Sequence, residues 1–135
     1  MLNKVQIIGR IVKDLELRKT SNGTSVLNMT VVTSEKFKDK SGQQKETSEF
    51  HNVVVYNVLA ENIAKYKTKG ELIYIEGKLG TRSWEDNGQK RYKTEITAFS
   101  AVFFPGNSSG EGKSKSSESQ QDDIPSYDDM DDLPF

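Results

Sequence analysis

The sequence predicts a mainly β domain, a five-stranded Greek-key barrel with one helix between its third and fourth strands, followed by a disordered acidic tail. Three observations predict it. Apolar residues recur at a spacing of two over most of residues 1–105, which is the period of a strand. Helical spacing occurs in one place, residues 59–69. At Pro105-Gly106 the alternation stops, and Ser, Gly, Gln and Asp take over.

The elements follow in order. Val5 to Ile11 is the first strand, and Gly9 inside it marks a bend of the kind a small barrel needs. A short Leu15-Glu16-Leu17-Arg18 segment alternates, and Asn22-Gly23 then signals a tight hairpin. The second strand runs from about Ser25 to Ser34, and a polar loop, Asp39 to Gln44, separates it from the third, Thr47 to Tyr56. Leu59, Ala60, Ile63 and Ala64 recur at helical spacing, with Gly70 as the expected C-terminal cap. Leu72 to Trp84 is the fourth strand, with Gly77 and Gly80 as bend points. Asn87-Gly88 turns the chain into the fifth, Arg91 to Phe104. Five strands and one helix in this order match the oligonucleotide-binding barrel. The periodicity alone also fits another small α+β barrel or a β-sandwich.

Charge divides the chain. Residues 1–105 carry 17 basic and 12 acidic side chains, a net of +5, whereas residues 106–135 carry 2 and 8, a net of −6. A basic body with an acidic arm suggests a polyanion-binding domain tethered to a segment that polyanions repel. Residues 106–135 hold too few apolar side chains to offset the entropy of ordering, so disorder is expected there. The arm ends in Asp131-Asp132-Leu133-Pro134-Phe135. Two readings fit these five residues: a peptide hook, with an aromatic anchor and a carboxylate for a basic-rimmed apolar pocket, or a solubilising tail.

Side chains two apart on a strand share a face. Phe50, Asn52, Val54 and Tyr56 share one face of the third strand, and Tyr74, Glu76, Lys78, Arg82 and Trp84 one face of the fourth. The opposite faces, His51, Val53 and Val55, and Ile73, Ile75 and Leu79, read as barrel interior. Rings interleaved with Lys and Arg suit single-stranded nucleic acid, because rings stack on any base while cations neutralise phosphates. Phe37, near the polar loop, and Trp84, entering the last hairpin, also stand where core residues are less expected.

Several classes are disfavoured. There is no Cys, so disulfides and thiolate metal sites are excluded. His51 is the single histidine, which leaves no His pair for a metal and reads as structural or as an interface residue. Gly77-Lys78-Leu79-Gly80-Thr81 lacks the spacing of a phosphate-binding loop. No cofactor and no catalysis are expected, and a small metal-dependent nuclease is the enzymatic rival. No signal peptide or membrane-spanning run is recognisable.

Several stretches are more specific. Asn3-Lys4-Val5, Thr33-Ser34-Glu35, Glu49 to Val54, Leu59-Ala60-Glu61, Lys69-Gly70, Tyr74 to Leu79, Thr81 to Trp84 and Arg91 to Glu95 together resemble bacterial single-stranded DNA-binding proteins, over roughly residues 3–98 and again at the tip. The resemblance implies a homotetramer that coats single-stranded DNA in replication, recombination and repair, in the cytoplasm at the nucleoid of a bacterium or encoded by a phage or plasmid. It places base stacking on Phe37, Phe50, Tyr56 and Trp84, and basic contacts on Lys4, Arg18, Lys69 and Arg82, to which the face pattern adds Lys78. It also implies that His51 lies at a subunit interface. The tip, Asp131 to Phe135, is then a hook for DNA-processing enzymes. The chain departs from the family pattern at Leu15, commonly Pro, at Gly80, frequently basic, and at Leu133, more usually Ile. Its arm is short.

Overall fold

The computed structural model describes residues 1–105. The acidic arm, expected to be disordered, and the hook expected at Asp131 to Phe135 lie outside the described residues. The described residues form six strands and one helix: β1 (Val5–Ile11), β2 (Glu16–Lys19), β3 (Ser25–Lys38), β4 (Gln44–Tyr56), α1 (Asn57–Tyr66), β5 (Leu72–Asp86) and β6 (Gln89–Phe103).

Five strands close the barrel in the order β1-β5-β6-β4-β3, and β3 returns to β1 through Arg10–Val32 and Ile11–Val31. β4 and β6 run parallel, with Val54 opposite Thr97. The alternating Leu15–Arg18 segment, not counted among the expected strands, contributes most of β2. It pairs with β3 from Glu16–Asn28 to Lys19–Ser25, before β3 reaches β1. The sixth strand therefore extends the sheet without entering the ring.

The inward alternation is as expected for Val53, Val55, Ile73 and Ile75, all 1% exposed or less. They meet Leu27, Val31 and Ile63 in one core. Burying each such side chain contributes roughly 1.5–3 kcal/mol. The helix plugs one end of the barrel with Ala60 and Ile63.

Two glycines make closure possible. A Cβ on Gly9 would overlap the Val32 carbonyl oxygen and stand 2.6 Å from Val31 Cγ1, where β1 crosses β3. A Cβ on Gly77 would overlap the Thr97 carbonyl oxygen. Gly77 also borders a bulge: it pairs with Ala98 while Glu76 pairs with Ser100, which leaves Phe99 as the extra residue. The bulge resets the alternation, so Ile96 and Ala98 point inward before it and Ala101 and Phe103 after it.

Several expectations need correction. Leu79 is half exposed, because it lies where the β5–β6 hairpin leaves the barrel. At Gly80, which pairs with Glu95 without a register shift, nothing lies within 4 Å of where a Cβ would stand, so no close approach requires glycine there. The helix spans Asn57–Tyr66 and is capped at Lys67, whose amide donates to the Ile63 carbonyl at 2.9 Å. Gly70 instead donates its amide to Ile11 at 2.7 Å, tying the connection to β1. Asn57, with φ 61°, turns β4 directly into the helix. The polar loop is shorter than expected, because Asp39 Oδ1 accepts from the Ser41 amide, the Ser41 hydroxyl and the Gln43 amide at 2.6 to 3.0 Å.

Candidate nucleic-acid interface

Residues opposed across a ladder point to the same side of a sheet, so the register assigns the outer face row by row. Arg18, Val26 and Tyr56 form one row over β2, β3 and β4. Asn28, Val54, Thr97 and Lys78 form the next, over β3, β4, β6 and β5. Gly80 faces Glu95, Arg82 faces Lys93 and Trp84 faces Arg91. Phe50 faces Val32 on the same outer side. Three of the four aromatic candidates, Phe50, Tyr56 and Trp84, thus share one face with Arg18, Lys78 and Arg82. Their exposures are 64%, 45% and 42%. Rings this open on a folded domain are not spent on its core.

Between them runs a concavity of about 500 Å³, lined by Lys13, Asp14, Glu16, Arg18, Asn28, Arg82 and Lys93. A smaller one adjoins it at Lys13, Asn28 and Lys93 and reaches Asn52 and Glu95. The concavities join the β2–β3 side of the face to the β5–β6 ribbon.

The remaining candidates sit differently. Phe37 lies in β3, opposite Lys45, on the side of the ribbon away from Phe50. It is half exposed, because the β3–β4 hairpin projects past the barrel with both sides open. Lys69 is exposed in the α1–β5 connection, off the strand face. Lys4 lies at the outer edge of β5, where Glu76 Oε1 holds its ammonium at 2.7 Å. A hydrogen bond from Lys4 holds the Glu76 carboxyl below the usual glutamate value, and one from the Tyr74 hydroxyl adds to it. The same Glu76 contact raises Lys4. His51 is half-buried beside the barrel mouth, its Nε2 2.8 Å from Thr33 Oγ1.

Arg82 is the most constrained cation on the face. Its Nε stands 2.8 Å from Glu95 Oε1 in an ion pair, and its guanidinium carbon stands 5.4 Å from the Trp84 ring centre. Lys93 Nζ is 3.7 Å from Glu95 Oε2.

Sequence reasoning passed over Lys13, Lys93, Glu95 and Phe99. The alternation of the last strand carried a signal for Lys93 and Glu95, which share parity with Arg91. Phe99, 58% exposed, continues that parity, which the bulge reverses only beyond it, at Ala101 and Phe103. It stands one step beyond the Val55–Ala98 pair, level with Tyr56. Among the described residues, no group of three or more His, Asp or Glu is placed to hold a metal ion, and no helix is long and apolar enough to cross a membrane.

A closed five-stranded barrel with one capping helix and a ring-and-cation outer face belongs to the oligonucleotide-binding class of small β-barrels. Within that class the chain belongs to the single-strand binding protein family, whose model matches residues 2–104. It is 46% identical over 128 residues to the single-stranded DNA-binding protein 1 of Chlorobaculum tepidum, a match that covers 93% of this chain and 78% of that protein. The fold is similar to that of a Plasmodium falciparum SSB solved in complex with single-stranded DNA. That match has a TM-score of 0.72 and 30% identity, and covers 78% of this chain and 96% of the other. A deletion mutant of the Thermus aquaticus single-stranded DNA-binding protein gives a TM-score of 0.70 at 31% identity, covering 78% of this chain and 52% of the other.

Proposed function

We propose that this chain binds and coats single-stranded DNA without sequence preference. The observation that carries the reading is the shared outer face of Phe50, Tyr56 and Trp84 with Arg18, Lys78, Arg82 and Lys93. Bases stack on the rings and phosphates follow the cations. Stacking is worth on the order of 1–3 kcal/mol per base in single-strand binders generally, this family included. Phe37 supplies a further ring on the other side of its ribbon, and Lys4 and Lys69 supply charge at the margins. The similarity to a relative named for single-stranded DNA binding, and to a structure solved with single-stranded DNA, supports the same reading.

Self-association into a homotetramer completes the proposal. Ile8, Tyr74 and Val102 form an outward row across β1, β5 and β6, and Ile8 and Val102 are more than half exposed. An apolar row of this kind suits burial against another copy, with His51 at a second contact. In replication, recombination and repair, Asp131 to Phe135 would recruit DNA-processing enzymes, leaving the barrel free to hold the strand.

Native mass measurement with and without oligo(dT) tests both parts. A tetramer that takes up oligo(dT) and releases it as salt rises is expected. Salt-insensitive binding, or equal affinity for duplex, would overturn the reading.

A further inference from the structure

Glu95 is an unexpected residue on a face built for a polyanion. Its side chain is only 11% exposed, and its carboxylate stands among the cations. By simple charge counting it should repel phosphate and weaken binding.

The local geometry argues otherwise. Arg82 and Lys93 are direct cross-strand partners, and like charges placed opposite each other push apart. Glu95 lies two residues along β6 from Lys93, on the same face. Its own cross-strand partner is Gly80, which has no side chain, so the carboxylate is free to reach diagonally to Arg82. One oxygen stands 2.8 Å from Arg82 Nε in an ion pair, and the other is 3.7 Å from Lys93 Nζ. Anchoring Nε leaves the two terminal nitrogens of the guanidinium, with four N–H donors, for a phosphate. It also holds the guanidinium beside the Trp84 ring, 5.4 Å away.

We propose that Glu95 is a positioning residue of the binding face, which pins Arg82 against Trp84 and cancels its repulsion with Lys93, so that this carboxylate strengthens the grip on single-stranded DNA. The inference rests on the single-stranded DNA reading above. Orientation outweighs net charge at this point of the face.

Glu95→Ala and Glu95→Gln test it. Trp84 is the single tryptophan, so its emission reports on this cluster alone. In the free protein, Glu95→Ala should make Trp84 more accessible to acrylamide quenching. In oligo(dT) titrations at low and high salt it should bind roughly fivefold more weakly, although the variant is one charge more positive. Glu95→Gln keeps an acceptor for Arg82 Nε but loses the charge, so its affinity should fall between the two. Binding by either variant that is as tight as wild type or tighter, with a steeper salt dependence, would show that Glu95 is only a counter-charge. Unchanged quenching in both variants would overturn the positioning role as well. If the unaltered protein fails to bind oligo(dT), the DNA reading falls, and the quenching comparison still decides whether Glu95 orders Arg82 and Trp84.

Discussion

Lys4 and Glu76 form a 2.7 Å ion pair across the edge of β1 and β5, and the Tyr74 hydroxyl donates to the same carboxylate at 2.9 Å. The pair anchors the segment before β1, where the Asn3 side chain also bonds the Leu79 backbone in both directions at 2.8 and 3.0 Å.

The pair should respond to pH at both ends of the range. Glu76 titrates below its ordinary value of 4.5, so its stabilising contribution is present above that value and is lost as pH falls through the lowered one. Lys4 titrates above 10.5, so its contribution is present below that value and is lost as pH rises through the raised one. Carboxyl-carbon NMR should give Glu76 a depressed midpoint, and Lys4→Met should return it toward the ordinary value.

Lys4 and Lys78 should differ as DNA contacts. Among the described residues Lys78 forms no ion pair, whereas the Lys4 ammonium is already held. Lys78→Ala should reduce the slope of log affinity against log salt by about 0.7, the value for one phosphate on a single strand. Lys4→Ala should reduce it by less. Salt titrations of the two variants make the comparison.

Loss of a stacking ring should be costly in proportion to its place on the face. Trp84→Ala and Phe50→Ala should each weaken oligo(dT) binding by about 1–3 kcal/mol, roughly five- to 150-fold. Phe37→Ala should cost less, because its ring is on the far side of the ribbon. Equal losses at Phe37 and Phe50 would mean that the strand wraps both sides.

Gly77 and Gly80 should behave oppositely. A methyl group at Gly77 strikes the Thr97 carbonyl, so Gly77→Ala should cost about 1–3 kcal/mol. Gly80 has open space and no left-handed φ, so Gly80→Ala should be close to neutral. Thermal melts of both variants are the check.

Deleting Leu133, Pro134 and Phe135 should leave oligo(dT) affinity unchanged and abolish capture of DNA-processing enzymes. Capture that survives the deletion would return the tip to the role of a solubilising tail.

Much of the barrel was legible because alternation survives wherever one face of a strand is buried. Val53, Val55, Ile73 and Ile75 needed only their spacing. The reading failed at Leu79, where the pattern continues after the core has ended, and it passed over Phe99, beyond which one inserted residue reverses the parity. It also failed at Gly70, since a glycine after an apolar helical run looks like a cap whether it closes the helix or ties a loop to a neighbouring strand.

For this protein the residue order by itself determined which side chains alternate inward, where the charge changes sign and which family the chain resembles. Those are local properties, carried by spacing and composition. Only the tertiary structure decided that Phe50, Tyr56 and Trp84 share one face with Arg18 and Arg82, and that Phe37 does not. It also decided that Lys4 is held by Glu76, and that Glu95 stands between two cations. Strand register and the bulge at Gly77 set these relationships. Both depend on long-range pairing, and a one-residue shift in either would send every ring on that strand to the other side of the sheet.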